Sequence, residues 1–425
     1  VNAAGTPLSD WLSRLETLSP HEIELGLERV DLVLNRLALA PPGTVFHVAG
    51  TNGKGSSAAM LEALLRSSGA RVGSYTSPHI SRYNERIRVD GDEVADGEIV
   101  AAFERVEAVR GDEELTYFEF GTLAAMVVFA EAGVDTLILE VGMGGRLDAV
   151  NAVEPDAGLI TNISLDHCDW LGNDVEAIAL EKAGIMRSGK PIIFGARDVP
   201  LAILGHAATV GARLIAAGRD FDWSVDSNQW SWQGVAHRLD GLQSPSLPGE
   251  HQVGNAAAVL ALIESAGFEG LLRKEMINRS LQQLRLDGRM QELKSGARWL
   301  LDVAHNPAAA SALADTLRAE AHGARTVAII GMLDDKDVEG VVGALADQVD
   351  HWIAVTADSP RAIDAGELAR QVANQTNAAC LEAGSLDAAV SHAQELAHPD
   401  DRVLVTGSFY LVGPVLEHLE RRSNE

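Results

Sequence analysis

The stretch TVFHVAGTNGKGS (residues 44–56) decides the reading: an apolar run, a glycine-rich loop, then the start of a helical segment. Glycines let a backbone curl so that its N–H groups point inward, a lysine neutralises terminal phosphate charge, and the following helix presents its positive end. A strand, such a loop and a helix in that order cradle nucleotide phosphates. Thr51, Asn52, Gly53, Lys54, Gly55 and Ser56 are therefore the expected phosphate-binding residues, and an ATP-using enzyme is expected. A glycine turn that bound nothing would need neither the lysine nor the hydroxyl residues.

In an ordinary phosphate loop the lysine is followed at once by Ser or Thr, whose hydroxyl meets magnesium. Here Gly55 stands between Lys54 and Ser56, so metal ligands are sought elsewhere. Three candidates lie at strand ends: Ser77 after GSYT, Glu140 closing TLILE before the turn GMGG, and His167 after GLITNISLD. Magnesium takes hard ligands and keeps several waters while it bridges phosphates, so a hydroxyl, a carboxylate and an imidazole make a sparse but workable set. Taken singly each is ordinary, since a strand-end Glu is commonly a solvated cap and a lone His commonly structural.

Outward from the loop, apolar runs at 44–50, 72–75, 136–142, 158–163 and 191–195 alternate with helical stretches at 56–68, 96–109 and 119–132. Near-continuous apolar strands separated by helices predict a mostly parallel sheet covered on both faces. Residues 219–248 break the rhythm: FDWSVDSNQWSWQG alternates aromatic and polar residues and predicts a small antiparallel insertion. Trp223, Trp230 and Trp232 are read as strand packing rather than as a platform for bases. Helices near 255–266 and 274–284 lead to RLDGRMQELKSGARW, where the domain boundary is placed. Strands at 326–332, 351–355 and 402–408, with helices near 307–321, 337–347, 364–375, 386–397 and 410–422, predict a smaller Rossmann-like α/β domain. The expected division is 1–288, a linker at 289–297, and 298–425. Ligands of open α/β sheets gather at the carboxyl ends of strands, so a cleft between two such domains would suit a two-substrate reaction.

Composition narrows the function classes. At 425 residues and 46% hydrophobic content the chain can bury large cores, and its formal charge of −27 argues against general nucleic-acid binding. No apolar run reaches the roughly 18 residues that span a bilayer, and the start lacks a secretory pattern, so a cytoplasmic protein is expected. Cys168 and Cys380 are far apart and have no metal-type spacing; each is read as a small buried residue.

VAGTNGKGS, TSPHISRYNERIRVDG, TYFEFGTLAA, LEVGMGGRLDAVN, LDHCDWLG, EKAGIMR, LDVAHNP, IGMLDDKD and VTGSFY follow one another along the chain. In this order they resemble bacterial bifunctional dihydrofolate synthase/folylpolyglutamate synthase, a member of the Mur ligase superfamily. The likeness runs from about residue 22 to about residue 410. TSPH followed by YNERIRV, and the GGRLDA turn, are the most specific parts. The resemblance implies an N-terminal ATPase domain, a C-terminal glutamate-binding domain, and ATP-driven amide formation. A carboxylate is activated as an acyl phosphate, and the amine of L-glutamate displaces the phosphate. The acid is dihydropteroate in one activity and the glutamate tail of a reduced folate in the other.

The family's roles pass to matching positions. They assign ATP phosphates to the loop at Lys54 and magnesium to Ser77, Glu140 and His167. They also imply a carbamylated Lys182, which supports a second magnesium and which the bare sequence would read as a surface helix lysine. ATP contacts fall on Asn255, at the adenine, and on Arg289 and Asp302. Where the family commonly has PGRFQ, this chain has DGRMQ, so the arginine is kept while its neighbours change. The pteroate segments are Ile23, Glu24, Leu25 and Gly26; Thr116, Tyr117, Phe118 and Glu119; and Leu147, Asp148 and Ala149. Phe118 would stack on the pterin and Asp148 would accept its N–H groups. His305 and Ser408 are the implied glutamate-site residues. Lys54, Lys182 and His305 are the residues expected to bear on the chemistry.

Three other readings compete with this one. An enzyme limited to polyglutamylation would lack the pteroate-specific positions, and the RLDA turn favours the bifunctional form. A cell-wall amino-acid ligase would carry a UDP-sugar domain ahead of the loop strand, and the 43 residues before Thr44 are too few to expect one. A nucleotide-binding scaffold would have no use for the full set Lys54, Ser77, Glu140, His167, Lys182, Asp302 and His305. A monomer acting on small molecules is expected, with no nucleic-acid or membrane partner.

Overall fold

The computed structural model of the protein describes residues 7–18, 24–40, 43–227, 229–320, 325–376 and 378–423, except for the side chains of Cys168, Asp169 and Ser423. Two compact units emerge. The first holds the chain up to Ile163, then Asn173–Pro245 and Val253–Leu284; the second holds Ser164–Gly172, Ser246–Gln252 and the chain from Arg285 onward.

The first unit is built on eight strands: β1 (Thr44–Ala49), β2 (Val72–Tyr75), β3 (Ile87–Val89), β4 (Asp92–Glu93), β5 (Thr136–Glu140), β6 (Ala157–Ile160), β7 (Pro191–Phe194) and β8 (Arg213–Ala216), in the order β4-β3-β2-β5-β1-β6-β7-β8. The six from β2 to β8 in that order pair in parallel, while β3 and β4 finish one edge as antiparallel strands. Every residue of β5 is buried, as is all of β1 except its first residue, which is why these segments read as unbroken apolar runs. Helices Leu8–Leu18, Glu28–Leu37, Asp96–Arg110 and Tyr117–Ala132 bring Trp11, Val33, Phe103, Val106 and Phe120 into one core, with the Trp11 and Phe103 rings 5.7 Å apart.

The insertion is a separate antiparallel sheet of β9 (Asp222–Asp226), β10 (Gln229–Gln233) and β11 (Arg238–Gln243). Trp230 and Trp232 are buried, their indole N–H groups donating to the carbonyls of Gln243 and Ala257 at 3.0 Å. Trp223 stacks on Phe221. Two of the three tryptophans are thus structural in the manner expected of strand packing.

The second unit carries β12 (Gln291–Ser295), β13 (Ala297–Leu301), β14 (Thr326–Ile330), β15 (His351–Val355), β16 (Cys380–Ala383) and β17 (Arg402–Thr406), in the order β12-β13-β17-β14-β15-β16. β12 pairs antiparallel with β13 and the remaining five strands are parallel. Asp302 directly follows β13, and Ser408 lies just beyond β17, both at carboxyl ends where ligand loops of such sheets collect. Cys380 is half-buried, and burial pushes its thiol up to about 11. Among the described residues no helix is long and apolar enough to cross a membrane.

Candidate active site

In the first unit, helix Lys54–Arg66 begins at the phosphate-loop lysine itself, two residues earlier than the apolar pattern suggests. Gly53 is its N-cap at φ 84°, a left-handed conformation that favours glycine. A Cβ there would also lie 2.8 Å from the Asn255 amide oxygen, so the helix bearing Asn255 closes directly onto the loop. Lys54 Nζ donates to the carbonyls of Gly50 and Thr51, each at 3.2 Å, which holds the cation over the loop. Ser56 is buried and Gly55 half-buried in the first turn of the helix.

Two residues that sequence reasoning passed over brace this loop. Asn162 accepts from the Asn52 N–H at 3.1 Å and returns a bond from its own amide to the Asn52 carbonyl at 3.0 Å. Its backbone carbonyl accepts from Thr51 N–H, and the Thr161 hydroxyl donates to the Asn52 carbonyl at 2.6 Å. The Thr-Asn pair closing GLITN was the only signal in the sequence.

Ser77 and Glu140 meet at the ends of β2 and β5: the Ser77 N–H donates to Glu140 Oε2 at 3.1 Å, and Glu140 is 3% exposed. His167 lies in the second unit, with its backbone in the left-handed region at φ 52°, a conformation uncommon for a residue with a side chain. Strain of this kind concentrates at ligand and catalytic positions. Among the described residues no group of three or more His, Cys, Asp or Glu side chains is gathered as a metal cage. A buried carboxylate beside a serine suits magnesium, which binds through one or two carboxylates and the substrate's phosphates rather than in an all-protein cage.

Lys182 corrects the bare sequence reading of a surface lysine: it is 4% exposed, near the end of helix Val175–Ala183. The GGRLDA turn packs on that helix end. Arg146 N–H donates to the Glu181 carbonyl at 2.8 Å, and the Asn151 amide bonds the carbonyls of Arg146 and Gly184 at 3.0 and 3.1 Å. A buried charge of either sign is costly unless paired, so Lys182 is not a solvated helix lysine.

The Thr116–Glu119 segment meets the same turn through Phe118. A Cβ on Gly142 would lie 2.7 Å from Phe118 Cζ, so only glycine lets that ring rest on the turn. Asp148 is buried and accepts from the N–H groups of Met143 (2.8 Å) and Val150 (3.1 Å). Burial raises its carboxyl to about 6, against the pull of those N–H groups and of Lys54. Leu147 is half-buried and Ala149 buried beside it. Thr116 caps helix Tyr117–Ala132, and Glu119 completes the capping box by accepting the Thr116 N–H at 2.8 Å. Tyr117 meets the edge of Tyr83 at 5.9 Å. Glu24, half-buried Leu25 and Gly26 lead into helix Glu28–Leu37; Ile23 lies outside the described residues.

The second unit assembles its own polar centre. Asp166 accepts from Lys336 Nζ at 2.7 Å and from the Asn306 amide at 3.1 Å, and its carboxylate lies 3.3 Å from His305 Nε2. Burial pushes the Asp166 carboxyl up, but the bond from His305 and the charges of His305, His167 and Lys336 hold it well below the usual range. His305 Nδ1 lies 2.8 Å from the Val303 carbonyl, and its ring meets Phe409 at 5.8 Å. Arg289 also lies over the Phe409 ring, 5.4 Å from its centre. Asp302 fixes the arginine's turn by accepting Met290 N–H at 2.9 Å; burial pushes its carboxyl up while Arg289 pulls it down. Ser408 is buried and its hydroxyl accepts from Tyr410 N–H at 3.1 Å. Asp166 and Lys336 stand inside LDHCDWLG and IGMLDDKD, yet nothing in either motif announces that they pair.

Comparison with known proteins places the chain in a family. The Mur ligase middle domain matches residues 48–263, and the Mur ligase glutamate ligase domain matches residues 288–409. The chain is 42% identical to the dihydrofolate synthase/folylpolyglutamate synthase of Escherichia coli K12, over 99% of this chain and 97% of that one. The structure is similar to that of E. coli FolC in complex with DHPP and ADP, at a TM-score of 0.93 and 41% identity, covering 100% of both chains. It is also similar to a bifunctional folylpolyglutamate synthase/dihydrofolate synthase with Mn, AMPPNP and L-glutamate bound, at a TM-score of 0.90 and 43% identity, covering 98% of each chain. The braced phosphate loop, the Ser77 and Glu140 pair, the buried Lys182 and the turn that carries Asp148 are therefore features of a chain that belongs to the Mur ligase family, in its dihydrofolate synthase/folylpolyglutamate synthase branch.

Proposed function

We propose that this protein is an ATP-dependent ligase that adds L-glutamate to dihydropteroate, giving dihydrofolate, and to the glutamate tail of reduced folates. The observation that carries the reading is the convergence of Phe118 and Asp148 on one turn: the ring rests on Gly142 and the buried carboxylate bonds Met143. A flat aromatic face and a hydrogen-bond acceptor side by side suit a pterin, which offers a π surface and an edge of N–H donors.

The acceptor's carboxylate oxygen attacks the γ-phosphorus of ATP; the bond to the β,γ-bridging oxygen breaks, and ADP leaves with its electron pair. The neutral amine of glutamate then attacks the carbonyl carbon of the acyl phosphate. The tetrahedral intermediate collapses to the amide, phosphate departs, and the amine's proton is lost. Lys54 and the loop N–H groups counter the charge on the phosphates, the main contribution a protein makes to phosphoryl transfer. Ser77, Glu140 and His167 would hold magnesium, which neutralises phosphate charge. Carbamylated Lys182 would hold a second ion. Asn255, Arg289 and Asp302 bind ATP, and Arg289 offers a planar fork suited to phosphate oxygens. His305 and Ser408 bind the incoming glutamate.

In this reading residues 1–288 serve ATP and pteroate, 289–297 link, and 298–425 serve glutamate, in a cytoplasmic monomer. The test is glutamate-dependent phosphate release with magnesium ATP. Dihydropteroate and tetrahydrofolate should each support turnover; turnover with the folate alone would leave a polyglutamylating enzyme and remove the role given to Asp148.

A further inference from the structure

Arg29, in the first turn of helix Glu28–Leu37, belongs to none of the segments assigned above, yet it ties two of them together. Its Nη1 donates to Glu24 Oε1 at 2.5 Å, and its Nη2 donates both to the Glu24 carbonyl at 3.1 Å and to Glu119 Oε1 at 2.8 Å. Glu119 is only 4% exposed, and its second oxygen already accepts the Thr116 N–H. One guanidinium therefore fastens the backbone at 24 to the capping box that opens helix Tyr117–Ala132, across 90 residues of sequence. Its planar fork allows this; a lysine has a single charged point and cannot hold both partners in fixed directions.

We infer that Arg29 is a positioning residue for the pterin-bearing acceptor: it sets the segment Glu24–Gly26 against the Thr116–Glu119 turn and so fixes both sides of the acceptor pocket before substrate arrives. The inference rests on the function proposed above. Two observations separate it from an ordinary surface ion pair. Arg29 is half-buried, at 21% side-chain exposure, and its bond to the 4% exposed Glu119 is screened less than that of a solvated pair. And Nη2 takes the Glu24 main chain as well as a side chain, which makes the contact a restraint on backbone position. Preorganising a binding segment lowers the ordering cost of binding, so the loss should appear in acceptor affinity.

The test compares wild type, Arg29→Ala and Arg29→Lys in steady-state assays, varying dihydropteroate, tetrahydrofolate and ATP in turn. For Arg29→Ala, KM for both pterin acceptors should rise roughly tenfold, the order expected when charge-assisted hydrogen bonds are lost. kcat at saturation and KM for ATP should stay within about twofold, because uniform binding, not transition-state stabilisation, is removed. Arg29→Lys should fall between the two. An unchanged acceptor KM, or a parallel rise in the KM for ATP, overturns the inference. If Arg29→Ala does not fold, Arg29→Lys decides: a raised acceptor KM with unchanged KM for ATP supports positioning, and a wild-type acceptor KM rejects it. Absence of wild-type turnover with either acceptor would instead sink the proposed function, so the two failures are distinguishable.

Discussion

Lys336 donates to Asp166 at 2.7 Å, with both side chains largely buried at 6% and 8% exposure. A cation and an anion removed from water are stable only when each keeps its partner, and Asp166 also serves Asn306 and His305. Asp166→Asn should therefore cost roughly 2 kcal/mol, less than a full buried pair because Lys336 also has Asp335 within 3.3 Å. Denaturant midpoints check this. Asp166→Asn combined with Lys336→Met should recover part of the loss, since the buried ammonium is gone and Asp335 keeps Arg361 at 3.7 Å, while glutamate-dependent turnover stays impaired in both variants.

Asn162 makes two bonds to Asn52 through one side chain, and both disappear in Asn162→Ala. The phosphate loop loses its side-chain bonds to Asn162, keeping the bond to the Asn162 carbonyl and the one from the Thr161 hydroxyl, while the acceptor turn is untouched. KM for ATP should rise about tenfold, in line with the effect of losing two hydrogen bonds at a preorganised site, and KM for dihydropteroate should change little. A variant with both constants unaltered would show that the loop holds its shape without Asn162.

Asp148 gives the acceptor site a pH dependence. Its carboxyl titrates near about 6, raised by burial, and only the ionised form is a pure acceptor for pterin N–H groups. KM for dihydropteroate should climb as pH falls below about 6, while KM for ATP does not follow. Stability carries the other sign. A carboxyl whose folded pKa is raised binds its proton more tightly in the native state, so its contribution favours folding at pH below the unfolded value of 3.8 and is lost as pH rises through about 6. Asp148→Asn should thus flatten both profiles; an unaltered KM profile in that variant would assign the titration to another group.

Lys182 is buried, and in the proposed reading it acts as a carbamate. Lys182→Ala should lower turnover severely, by about 100-fold or more, as removal of a metal-supporting group does. Added bicarbonate should not rescue it, because no amine remains to take up carbon dioxide. Wild-type rates in this variant would reject the carbamate.

Much of the architecture was legible because parallel strands buried on both faces leave an unbroken apolar run: β1, β5, β14 and β17 are nearly or wholly buried. The same logic hides what is short or solvated. β3 and β4 have three and two residues at a sheet edge, and β12 reads QELKS, with no apolar run to flag it. Helices Leu8–Leu18 and Glu28–Leu37 are short and bury only Leu8, Trp11 and Leu15, and Val30, Val33 and Leu37, so their apolar faces are narrow. At the site, the glycine-rich loop pointed to Lys54 and the strand ends to Glu140, while Asp148 came only with the family resemblance. Partners that meet only through folding gave no such signal: Asp166 lies 140 residues from Asn306 and 170 from Lys336. The burial of Lys182 was equally invisible, because EKAG has the composition of a solvated helix end.

The central claim, that one site on this chain accepts both pterin acids, is tested most directly by measuring glutamate-dependent phosphate release from magnesium ATP with dihydropteroate and with tetrahydrofolate in parallel. The account predicts turnover with each acceptor, and loss of both in Asp148→Ala. Turnover with only one of the two acceptors, or with neither, would contradict it.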